Sequence, residues 1–155
     1  MAQVVAVSVS ERKGERKHPV AEVVLQEDHG IVGDAHAGPG DRQVSLLASE
    51  SIDKMRCLGL EVSSGDFAEN ITTEGLDLPG LQVGTLLQVG EALLQVTRIG
   101  KECHARCAIY YQAGDCVMPR EGIFARVLAG GVVRPSDPLT VVPPSAGYPL
   151  NTLTE

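Results

Sequence analysis

The stretch Leu86-Leu87-Gln88-Val89-Gly90, continued by Glu91-Ala92-Leu93-Leu94-Gln95-Val96-Thr97-Arg98-Ile99-Gly100, decides the fold class. It contains two short runs rich in Leu, Val and Ile, closed by Gly90 and Gly100. Bounded apolar runs of this length read as β-strands. The same pattern recurs on both sides. Val4 to Val9 alternates imperfectly, is rich in Val, and reads as a first strand. It runs into a basic loop carrying Arg12, Lys13, Arg16, Lys17 and His18, from which Pro19 releases a second strand, Val20 to Asp28. A short strand is expected around Asn70 to Thr73, with turns at Gly75 and Pro79-Gly80, and a last strand within Val132 to Pro144. Two helices interrupt the series. One lies within Val44 to Leu60, capped by Ser49 or Ser51 and ended by Gly59. The other runs from Met118, with Pro119 in its first turn and Gly130-Gly131 at its C-terminal end. Many short strands with two helices predict a mainly β fold, a barrel or sandwich.

The chain has 155 residues, which fits one domain, expected over residues 1–142 with a loosely ordered tail at 143–155. Hydrophobic residues make up 43%, close to the globular norm, while aromatics are 3% with no Trp. The core must therefore be aliphatic. Net charge is −7, which lacks the electropositive footprint of a nucleic-acid binder and disfavours an anionic membrane surface. No run reaches the roughly 18–20 apolar residues that span a bilayer. No basic region precedes the apolar start, so a first strand is a better reading than a signal peptide, and the cytoplasm is the expected compartment. Cysteines there remain thiols unless they do metal or redox work.

The densest chemical cluster is Cys103-His104-Ala105-Arg106-Cys107, with Cys116 nine positions on. On a short helix the i,i+4 spacing would place Cys103 and Cys107 on one face. His104 and Arg106 beside them favour the thiolate, which is both a sulfur nucleophile and a soft metal ligand. A structural zinc site using Cys103, His104, Cys107 and Cys116 is an alternative, although only one close cysteine pair is present. Cys57 closes an apolar helical pattern and reads as a small buried hydrophobe. The loop Gly33-Asp34-Ala35-His36-Ala37-Gly38 resembles a phosphate cradle without being a Walker A or Rossmann fingerprint, and makes His36 a candidate. Arg42 follows it and could clamp an anionic group. Lys13, in the basic loop, is a further candidate for such a group, and Asn70 stands in a turn-rich segment with Asp66 and Glu69.

Taken together, these segments resemble the MOSC domain, named for the C-terminal domain of molybdenum-cofactor sulfurases. The matching stretches run in family order: Gly33 to His36, Arg42 to Leu47, Gly65 to Leu76, Cys103 to Cys107, Met118 to Phe124, and Val133 to Pro138. The likeness covers about residues 1–142 and is closest to compact bacterial members consisting of this domain alone. It implies a strongly bent, partly open β-barrel with helices at its edge. It also implies a cysteine-centred site that carries sulfur or ligates molybdenum. In relatives that reduce N-hydroxylated compounds, the Cys of an Arg-Cys pair binds the metal of a molybdopterin cofactor. Arg106-Cys107 matches that pair, so the resemblance favours Cys107 as reactive thiol and metal ligand, with Cys103 second. It likewise assigns Asn70 to the pterin and Arg42 to the cofactor phosphate. The sequence departs from those reductases at Ala68, where they have an Arg, and at Ser10-Glu11, where they have Lys-Ser.

The implied cofactor is the molybdenum cofactor, and the implied partners are molybdopterin or another anionic small molecule, with a cysteine desulfurase or a molybdoenzyme. The pyridoxal-phosphate domain of full-length sulfurases is not expected on this chain. A non-catalytic accessory module for cofactor-biosynthesis enzymes is the alternative of another class.

Overall fold

In the computed structural model the described residues are 2–12, 16–35, 37–40, 42–57, 59, 61–65, 67, 69–78, 80–99 and 122–142. Their elements, in chain order, are β1 (Gln3–Val9), β2 (His18–Val20), β3 (Val23–Gln26), β4 (Gly30–Ile31), β5 (Val44–Ala48), α1 (Ser49–Cys57), β6 (Ile71–Glu74), β7 (Leu86–Val89), β8 (Ala92–Ile99), β9 (Ile123–Ala129), β10 (Gly131–Val133) and β11 (Leu139–Val142). The two runs of the opening stretch are β7 and β8, an antiparallel hairpin registered from Val89–Ala92 to Leu86–Gln95.

Eight strands form one sheet in the order β11-β7-β8-β9-β5-β6-β1-β2, and β10-β3-β4 form a second. All pairings are antiparallel except β5 with β6. Parallel neighbours need a crossover, which α1 supplies with the segment after it. The sheet is open and strongly bent. Its edges approach near Gln3 and Pro138, which form an isolated bridge, while Val4 N–H donates to the Asp137 carbonyl at 2.8 Å.

Strand alternation divides the apolar residues into two clusters. The larger is aliphatic, as the composition requires: Val7, Leu46, Ile71, Leu94, Ile123 and Val127 from the large sheet meet Leu25 and Ile31 from the small one. The smaller lies on the opposite face, where Ile52 and Met55 of α1 cover Leu47, Val62, Phe67 and Phe124.

Four expectations require correction. The helix expected from Met118 to Gly131 is, over its described part, the strand β9, paired with β5 on one side and β8 on the other. Ile123, Ala125 and Val127 enter the large core while Phe124 enters the small one, a period of two that no helix provides. Gly130 is no helix cap; a Cβ there would stand 2.5 Å from the Leu25 carbonyl oxygen. The strand expected over residues 20–28 is divided between β2 and β3, in different sheets, and the last strand between β10 and β11. Cys57 is exposed rather than buried. α1 buries Ile52 and Met55, and two residues beyond Met55 the helix has turned about 200° away from that face.

Candidate functional site

The side of the large sheet facing away from the aliphatic core carries the candidate site. In the central strands, Ser45 of β5 is registered with Phe124 of β9, and Phe124 with Arg98 of β8. These three form one row across the sheet. Asn70 continues the row beyond β5. Its Oδ1 accepts from the Ser45 backbone N–H at 3.0 Å and from the Ser45 hydroxyl at 3.1 Å. Its Nδ2 donates to the Ser8 carbonyl at 3.2 Å, and its own carbonyl accepts from Ser8 N–H at 2.7 Å. A fully buried carboxamide thus ties β1, β5 and the start of β6 together.

Arg42 reaches the same row. It precedes β5, and its guanidinium carbon stands 5.4 Å from the centroid of the Phe124 ring, within cation–π range. Arg42 is half-buried. Arg42 and Asn70 therefore border one face, joined through Ser45 and Phe124. The segment carrying Cys103, Arg106 and Cys107 leaves the sheet after Ile99 and re-enters at Ile123. These two residues are registered with each other beside the Arg98–Phe124 pair. Both ends of the cysteine segment thus spring from the border of the Arg42–Asn70 face. Cys103, Cys107, Arg106, Lys13 and His36 themselves, and the alternative zinc cluster, lie outside the described residues.

Beside Asn70 lies a second polar group. Lys17 and Asp34 form an ion pair at 2.8 Å with both side chains fully buried. The Lys17 ammonium also donates to Ser10 Oγ at 3.0 Å, and Ser10 N–H donates to Asp34 Oδ1 at 3.0 Å. Lys17 therefore braces the root of the basic loop instead of offering an open charge to a ligand. Burial alone would raise the Asp34 pKa. The hydrogen bond from Lys17, the Ser10 N–H, the Lys17 charge and a contact with Asn70 outweigh it and hold the carboxyl below its ordinary range.

Glu69 has the opposite balance. It is completely buried, and desolvation pushes its pKa up despite N–H donors from Gly65 and Phe67 and the Thr72 hydroxyl. Its carboxyl organises the turn before Asn70. Gly65 in that turn has φ +92°, and a Cβ there would lie 2.2 Å from the Lys17 carbonyl oxygen. Asp34 owes its importance to long-range partners, Lys17 and Ser10, that no sequence spacing displays, whereas Glu69 is held by near neighbours and is set apart by its burial.

Among the described residues, no group of three or more His, Cys, Asp or Glu side chains stands ready to hold a metal ion. A groove of about 540 Å³ runs between α1 and the turn after β6, lined by Glu50, Lys54 and Asp77 among others. It lies at the far end of β6 from Asn70, so it is separate from the site described. No helix among the described residues is long and apolar enough to cross a membrane.

Comparison with protein families matches the MOSC domain over residues 33–140, well over half of the chain. The chain belongs to the MOSC family. Its fold is that of several solved structures. YiiM from Geobacillus stearothermophilus superposes with a TM-score of 0.70 at 24% identity, over 96% of this chain and 79% of that one. The YUAD protein from Bacillus subtilis gives 0.73 at 17% identity, over 90% and 94%. YiiM from Escherichia coli gives 0.66 at 22%, over 99% and 76%. At these identities the likeness concerns the fold alone. Comparison with curated proteins finds no match.

Set against the molybdenum cofactor that MOSC membership suggests, the described residues fit in part. The cofactor carries an anionic phosphate, and the Arg42 guanidinium suits it. The Asn70 carboxamide is already engaged by Ser45 and Ser8, which suits a brace better than a pterin ligand.

Proposed function

We propose that this MOSC protein is a cysteine-dependent molybdenum-cofactor protein, working through the thiolate of Cys107 or Cys103. It either binds molybdopterin with its metal or passes sulfur to it. The observation that carries this reading is the common border. The segment holding both cysteines begins and ends at the Ile99–Ile123 pair, beside the face that Arg42 and Asn70 border through Phe124 and Ser45. In this reading Cys107 is the metal ligand and first nucleophile, with Cys103 its partner. Arg42 and the basic loop with Lys13 take the cofactor phosphate, helped by His36. Arg106 favours the thiolate by its charge. Asn70 serves the site mainly by fixing β1, β5 and β6.

Sulfur relay through such a thiol is balanced without an external oxidant. The thiolate attacks the terminal sulfur of a persulfide on a cysteine desulfurase, the S–S bond there breaks, and the desulfurase cysteine leaves as thiolate. The partner thiolate then attacks the inner sulfur of the new persulfide, the outer sulfur leaves as sulfide for the acceptor, and the resulting Cys103–Cys107 disulfide is reopened by a cellular thiol reductant. When bound, the cofactor would supply the metal and its redox chemistry. The cytoplasm is the compartment in which such thiols stay reduced.

Incubation with a cysteine desulfurase and cysteine, followed by peptide mass spectrometry, tests the relay. Molybdenum and pterin analysis of protein from molybdate-fed cells tests the binding. The reading expects one added sulfur atom on the Cys103–Cys107 peptide, or bound molybdenum, and loss of either in the Cys103→Ala/Cys107→Ala double variant. A signal unchanged in that variant refutes it. Absence of both signals in the wild type favours the accessory-module alternative.

A further inference from the structure

We propose that Arg126 and Arg98 complete an anion-binding face with Arg42 around the Phe124 ring, selective for a phosphate-type oxyanion. The inference deepens the proposed function, since it names the protein side of the contact with an anionic cofactor, but its evidence is independent of the cysteines.

Three observations converge. The first is register. On β9, Ile123, Ala125 and Val127 enter the large core, so Phe124 and Arg126 face the other side. Arg98 is registered with Phe124 and Gln95 with Arg126, which places Arg98 and Arg126 on neighbouring strands as diagonal partners. Such partners have Cα atoms about 7–8 Å apart, within reach of long side chains. The Arg42 guanidinium rests on Phe124 itself. Arg98 and Arg126 thus share with Phe124 one face of the sheet, and the Arg42 guanidinium lies over the ring on that face, in a chain of net charge −7.

The second is satisfaction. The Nε of Arg126 is buried and has no hydrogen-bond partner among the described residues. Buried donors of charged groups are costly to leave unmade, and a bound anion would supply the missing acceptor. The third is access. Arg42, Arg98 and Arg126 are all half-buried, so each residue is partly desolvated and keeps part of its surface in solvent. Partial desolvation strengthens a charge-assisted bond, and the planar guanidinium fork matches phosphate oxygens better than an ammonium does.

Titration calorimetry of the full chain with orthophosphate and with phenyl phosphate, at constant ionic strength set with sodium chloride, tests the face. The expected result is saturable one-to-one binding by the wild type, weakened about tenfold or more in Arg126→Gln and in Arg98→Gln. Arg134→Gln removes an exposed arginine paired with Glu22 and should leave the affinity unchanged. Arg98→Gln keeps the test decisive if Arg126→Gln does not fold. Phenyl phosphate binding more tightly than orthophosphate marks a phosphate ester as the ligand; equal affinities mark a free oxyanion. No saturable binding by the wild type, or equal weakening by Arg134→Gln, overturns the proposal. The Cys103→Ala/Cys107→Ala variant separates it from the cysteine reading. Anion binding that persists there stands on its own even if the thiols prove inert, and reactive thiols with unaltered binding in both arginine variants defeat the anion face alone.

Discussion

Lys17 and Asp34 make the strongest residue-level commitment in this molecule. Two opposite charges are withdrawn from water and joined at 2.8 Å, with Ser10 bonded to both. Such a pair adds little net stability over an apolar replacement, but removing one partner strands the other. Lys17→Met is therefore expected to cost about 3–5 kcal/mol in urea unfolding at neutral pH. The pH dependence follows from the direction of each shift. The folded pKa of Asp34 is lowered, so its contribution is full above the unfolded carboxylate value and is lost as pH falls through the lower folded one. Glu69 is raised, so its contribution is present at low pH and is lost as pH rises through the raised folded value. Unfolding curves across acid pH should accordingly become flatter in Asp34→Asn on the most acidic limb, below about pH 4. An unchanged limb would mean that Asp34 is not held as a carboxylate. Gly65→Ala adds a Cβ 2.2 Å from the Lys17 carbonyl oxygen at φ +92°, and should cost about 3 kcal/mol or more. A loss below about 1 kcal/mol by the same unfolding measurement would show that the turn relaxes freely.

At the scale of elements, β9 shows where the sequence could be read and where it could not. Ile-Phe-Ala-Arg-Val-Leu-Ala mixes good helix formers with β-branched residues, and the glycines after it resemble a helix end. Local preference was overruled by place. Pairing with β5 and β8 satisfies the backbone on both edges, and alternate residues enter two different cores. Strands β1, β6, β7 and β8 were legible because their apolar runs are bounded by glycine, proline or polar loops. The helix α1 was legible from its serine start and its Gly59 stop. The splits between β2 and β3 and between β10 and β11 were hidden, because the halves belong to different sheets and only long-range pairing separates them. Ala125→Pro tests the strand directly. It removes a donor from the centre of the sheet and should destabilise by more than about 3 kcal/mol. Near-native stability in urea would contradict the central placement of β9.

On the scale of the whole molecule, an open, bent sheet of eight strands carries the candidate site on the side that α1 partly covers, with half-buried Arg42 beside the buried Ser45–Phe124 row. Family motifs made Arg42 and Asn70 visible as candidates, and the fold brings both to one face. Arg98 and Arg126 were invisible as candidates, because each is an ordinary strand residue until the register sets them around Phe124. The acidic overall charge likewise gave no sign that three arginines share one side of the sheet. Cys57 is exposed on α1, at the end of the helix's solvent side, and gives an internal reference thiol for the central claim. The most direct test is the alkylation rate of each cysteine by iodoacetamide between about pH 5 and 9, read by peptide mass spectrometry, since the thiolate is the reacting form. Cys107 or Cys103 is expected to react faster than Cys57 and to keep its reactivity to lower pH, well under the ordinary thiol value of about 8.5. Cys103 and Cys107 reacting no faster than Cys57 at every pH would contradict that claim.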